Sequence, residues 1–158
     1  MTTELRYWMR LIENQQDLLY HATRLSLAID ILKHDRIKAY TGQVGVGMGV
    51  SLTKSWTFAE TWKDGVVFSL RRAALPNELT DYRWQPHHGE AAPGDEQEVF
   101  AVGDIRDLRR VLQAVTITRP SVIDARKYEI SRYSNAADRA RSLAELEIFL
   151  HDSVVIAA

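Results

Sequence analysis

The chain has 158 residues, 46% hydrophobic and 26% charged, the size and balance of a single globular domain; collagen-like, fibrous and wholly disordered chains are excluded. Lysine plus arginine total 20 against 21 for aspartate plus glutamate, a formal net charge of -1, so a phosphate-rich partner needs a local basic patch. With no cysteine, disulfides, thiolate nucleophiles and cysteine-bound zinc drop out, and any catalysis falls to His, Ser, Glu, Asp, Tyr or Lys.

Residues 6–13, with Leu5, Trp8, Met9 and Ile12 at helical spacing, predict a short packing helix. Arg6, Arg10 and Glu13 interrupt any signal-peptide core, and no apolar run approaches the ~20 residues of a membrane span, so the expected compartment is the cytoplasm, with no membrane partner. Residues 18–22 predict a strand, Thr23 a helix cap, and Leu25, Ala28, Ile29 and Leu32 a helix to about Asp35. A short strand is expected over 37–40. Four glycines between Gly42 and Gly49 then forbid a stable helix and predict a loop.

Residues 50–53 read as a strand end, Ser55 as the cap of a short helix, and 66–70 as a buried strand. Residues 76–95, rich in Pro, Gly, His and acidic side chains, predict a long excursion anchored by Tyr82 and Trp84. Further on come a strand over 98–105, a helical turn over 107–112, a strand over 114–118, a looser join over 120–135, and a helix capped by Ser134 or Asn135 that runs to about Leu150. The chain reads as one domain over 1–158, with 120–158 a C-terminal extension. Irregular alternation of short strands and helices predicts an α+β fold with a mixed, mainly antiparallel sheet.

Three positions at strand termini or beside loops carry candidate chemistry. His21 ends the first strand, Ser51 follows the glycine-rich stretch, and Glu98 opens a strand two residues after Glu96, so that the two carboxylates share a face if the strand reaches back that far. Taken singly, each also fits a structural role: a satisfied histidine, an ordinary strand serine, a solvated edge carboxylate.

Taken in order, Tyr20-His21-Ala22-Thr23 before an amphipathic helix, Gly49-Val50-Ser51-Leu52-Thr53, and Glu96-Gln97-Glu98 resemble the ADP-ribosyltransferase superfamily, and within it the small transferase-like proteins of bacteria and their phages. The likeness spans about residues 18–117. Ala22 stands in the place of a glycine in the first motif, and a histidine there with a serine in the second combines features of two clades.

The resemblance implies a split sheet with flanking helices and an NAD-consuming reaction, with transfer of ADP-ribose to a macromolecular acceptor, protein or nucleic acid, or to water. It implies that Glu98 holds the ribose 2′-hydroxyl and faces the oxocarbenium-like centre, that His21 bonds a ribose hydroxyl, that Ser51 steadies Glu98 or the ribose, and that Glu96 helps activate the acceptor. His21, Ala22, Thr23, Gly49, Ser51, Thr53 and Trp56 are the implied NAD contacts. Trp56, Phe58 and Trp62 offer a stacking wall, although two of the three fit a core better. An RNA 2′-phosphotransferase on the same scaffold, and a binding module that keeps the fold without catalysis, remain alternatives.

Other signals carry less. The glycine cluster lacks a P-loop ending and opens no long helix. His87-His88-Gly89-Glu90 and His34-Asp35 lack further ligands at metal-binding spacing, so no metal is expected. Arg71, Arg72, Arg106, Arg109, Arg110 and Arg119 can meet phosphates only if they share a face.

Overall fold

The run Leu-Leu-Tyr-His-Ala-Thr-Arg forms β1 (Leu18–Arg24), extended because apolar side chains fall on both of its faces and so bury it between layers. The structure is a computed structural model that describes residues 17–41, 48–61, 64–81, 98–152 and 154–156. The expected N-terminal helix, the glycine-rich loop over 42–47, and Trp62, Tyr82, Trp84, His87, His88, Glu90 and Glu96 lie outside the described residues.

From β1 the chain passes into α1 (Leu25–His34), which ends at Asp35 in the left-handed region. The cap falls on Arg24, without a side-chain bond, rather than on Thr23. Pairing of Thr23 with Val66 and Arg24 with Gly65 keeps both residues in the strand, so sheet register overrides the local capping preference. Next come β2 (Arg36–Ile37), β3 (Tyr40–Thr41), β4 (Met48–Thr53) and α2 (Trp56–Thr61), where the Ser55 hydroxyl accepts from the Phe58 N–H as the sequence predicts.

The central strand β5 (Gly65–Arg71) follows, then β6 (Leu79–Asp81) and β7 (Glu98–Val102). The strand expected over 98–105 breaks at Gly103, whose φ of 78° makes the turn, and resumes as β8 (Ile105–Arg106). One turn of helix, α3 (Leu108–Val111), precedes β9 (Leu112–Ile117). The predicted loose join is instead a helix, α4 (Ser121–Ser131). In α5 (Ala136–His151) the Asn135 side chain accepts from the Asp138 N–H, as expected, and β10 (Val154–Ile156) closes the series.

The fold is α+β. An eight-stranded sheet runs in the order β10-β9-β5-β1-β4-β7-β6, with β3 also on β4; among the described residues only β10 and β9 pair in parallel. β2 and β8 form a separate antiparallel pair. Strand alternation sorts the two faces. Leu19, Val50, Leu52, Val66, Phe68, Leu70, Val99 and Ala101 meet α1, α4 and α5 through Ile29, Ile130, Leu146 and Phe149, forming the main core. On the opposite face Tyr20 and Val67 pack with Ala59 of α2. Among the described residues no helix is long and apolar enough to cross a membrane.

Sheet continuity is weakest between β1 and β4, where one pair, Tyr20 with Thr53, joins the strands. By contrast β1 pairs with β5 along all seven residues and β4 with β7 along five. The halves of the sheet therefore diverge beyond Tyr20, opening a cleft between β1 and the middle of β4.

Candidate active site

Register places the site. Tyr20 faces Thr53 across β1 and β4, and Thr53 faces Glu98 across β4 and β7, so Tyr20, Thr53 and Glu98 form a row on the face away from the main core. One step along, Ser51 lies opposite Phe100 on that same face. The Ser51 hydroxyl donates to Glu98 Oε1 at 2.5 Å, the short distance of a bond to an ionised carboxylate. The second oxygen, Oε2, has no hydrogen-bond partner among the described residues.

His21 reaches the site by another route. Alternation turns it from Tyr20 toward the face of Leu19 and Thr23, but it stands where β1 leaves β4. A continued ladder would set Ala22 opposite Ser51; instead the imidazole spans the gap, and Nδ1 donates to the Ser51 carbonyl oxygen at 3.1 Å. A carbonyl oxygen only accepts, so the proton sits on Nδ1 and the neutral ring keeps a lone pair on Nε2. Burial lowers the His21 pKa from 6.5, outweighing the bond to Ser51, which acts the other way. The ring is thereby held neutral, with Nε2 as an acceptor.

Two cavities meet at His21 and Ala22. The smaller, about 170 Å³, is lined by Tyr20, Ser51, Leu52, Thr53, Phe58 and Glu98 besides those two. The larger, about 650 Å³, lies between the end of β1, α1 and the β2–β3 segment, with Thr23 in its wall. The structure thus brings His21, Ala22, Ser51, Thr53 and Glu98 around one cavity and leaves Thr23 on its larger neighbour.

Trp56 is placed apart from both cavities. Its ring meets Tyr20 edge-on at 5.3 Å between centroids, and its Nε1 donates to Glu60 at 2.9 Å, giving it a packing role. Gly49 is buried directly beneath Phe100, and a Cβ there would overlap the Phe100 ring and the Ala101 carbonyl oxygen. Its smallness leaves room for the Phe100 ring on the strand that carries Ser51.

Sequence reasoning missed Tyr20 and took Phe58 only as one member of an aromatic stripe. Tyr20 is 3% exposed, yet its hydroxyl has no hydrogen-bond partner among the described residues, and the side chain lines the smaller cavity. Burial raises its pKa, so the phenol stays protonated and able to donate. Its hydroxyl reaches the cavity while the ring packs; the readable signal was its place beside His21 in the Tyr20-His21-Ala22-Thr23 run. No family model, curated protein or solved structure matches this chain.

Proposed function

We propose that the chain is an NAD-dependent mono-ADP-ribosyltransferase that passes ADP-ribose to a macromolecular acceptor or to water, acting in the cytoplasm, that of the host if phages carry it. The observation that carries this reading is the linked trio across β1, β4 and β7, in which His21 bonds the Ser51 carbonyl and the Ser51 hydroxyl bonds Glu98. These are the three residues that the motif resemblance picks out.

The reaction breaks the bond between ribose C1′ and nicotinamide nitrogen. The electron pair leaves on nicotinamide, the acceptor's nucleophile bonds C1′, and its proton passes to water. The barrier lies in the positive charge that grows on the ribose, and a fixed carboxylate stabilises it without reorganising. Ser51 holds one oxygen of Glu98, leaving the other for the 2′-hydroxyl. Neutral His21 accepts from a ribose hydroxyl through Nε2, and a protonated ring would lose that ability. The cavity beside Glu98 has room for one ring system, and the adjoining larger one for the remainder of a dinucleotide or for the acceptor.

The test is incubation of the protein with tagged NAD and a bacterial lysate, beside Glu98→Gln. Label that depends on Glu98 supports a transferase. Folded protein that yields neither label nor free nicotinamide overturns it.

A further inference from the structure

We infer that the cleft beside His21 takes a single-stranded nucleic acid and, resting on the transferase reading, that this strand is the acceptor. Arg36 and Arg106 lie directly opposite each other in the two-stranded β2–β8 pair, an arrangement that costs stability because like charges face across the ribbon. Asp104 lies 3.8 Å from one and 3.7 Å from the other while also accepting the Ala39 N–H, so one carboxylate answers two guanidinium groups. Two guanidinium groups sharing one carboxylate leave positive charge that an added anion completes.

Arg36 also belongs to the wall of the larger cavity, together with Arg24 and Lys38. The last two are exposed, and their side chains have no ion pair or hydrogen bond among the described residues. Asp30 and Asp64 share that wall. Tyr40, 64% exposed, presents its ring at the same cavity. Cations beside an open aromatic face suit an unpaired strand, since one unpaired base then has a ring to stack on. A duplex hides the base atoms that a transferase must reach. His21 lines both cavities, so a base seated against Tyr40 lies on the path to Glu98.

Fluorescence anisotropy with labelled mixed-sequence single-stranded DNA and RNA tests this on the full chain, without NAD. The expected result is binding to at least one polymer that weakens between about 50 and 200 mM salt. Lys38→Glu weakens it about 10-fold and flattens the salt slope by about 1; Lys127→Glu on α4, with the same change of charge, leaves it unaltered. The DNA and RNA arms identify the sugar preferred. Absence of binding at low salt, or equal loss in both variants, overturns the inference. With tagged NAD, label removed by nuclease supports the acceptor assignment, and label removed only by protease overturns it while leaving the transferase reading intact. Salt-sensitive binding without any label or nicotinamide release leaves the cleft assignment standing and overturns the transferase reading instead.

Discussion

Replacing Ser51 with alanine removes one hydroxyl and tests whether Glu98 is positioned through it. A hydrogen bond to an ionised group is worth about 1.5–3 kcal/mol, and at 1.36 kcal/mol per factor of ten this bounds the loss in kcat at about 10- to 150-fold. The serine is exposed and the bond lies at the surface of the fold, so stability changes by no more than about 0.5 kcal/mol. The assay is nicotinamide release with NAD varied, alongside thermal unfolding. Because Ser51 acts through Glu98, the losses are non-additive: Ser51→Ala/Glu98→Gln matches Glu98→Gln alone. Ser51→Thr, which keeps a hydroxyl, restores part of the rate. Full activity in Ser51→Ala, or losses that multiply in the double variant, would refute this role.

Burial depresses the His21 pKa below 6.5, so the unfolded chain takes up a proton where the folded one does not. Stability is therefore full above pH 6.5 and declines as pH falls toward the folded-state value; urea midpoints measured through that window fall more steeply for wild type than for His21→Asn, and equal slopes would contradict the assignment. Gly49→Ala places a methyl group against Phe100 and the Ala101 carbonyl, costing about 1–3 kcal/mol, or about 2–12 °C in Tm for a chain of this size. An unchanged Tm would show that the strand relaxes freely. Tyr20→Phe removes a hydroxyl without a partner among the described residues; the Tm stays within about 2 °C while KM for NAD rises about 3- to 10-fold, consistent with one lost hydrogen bond. An unaltered KM would exclude the phenol from ligand contact.

Elements with a dominant local signal were legible in advance. The i, i+3, i+4, i+7 spacing of Leu25, Ala28, Ile29 and Leu32 matches α1, and Ser55 and Asn135 cap the helices they precede. α4 was not, because Asp124, Arg126, Lys127 and Glu129 interrupt its apolar stripe and only Ile130 is buried. Pro120, which sets φ at its start, was the readable sign. β6 and β10 have three residues each, too few for a period, and exist through pairing with β7 and β9. At the site, motif order pointed to His21, Ser51 and Glu98; the expected strand-end placement holds for Glu98 alone, since β1 runs on past His21 to Arg24 and Ser51 lies inside β4. The divergence of β1 from β4, the tautomer of His21 and the exposed hydroxyl of Tyr20 depend on long-range register, which local spacing does not encode.

Free nicotinamide released from NAD by the purified protein, measured beside a Glu98→Gln variant of equal Tm, tests the central assignment most directly. A steady release that falls about 100-fold or more in the variant is the predicted result, since the substitution removes the negative charge facing the forming cation. Equal release from both proteins would contradict the role of Glu98, and none from either would contradict the transferase reading itself.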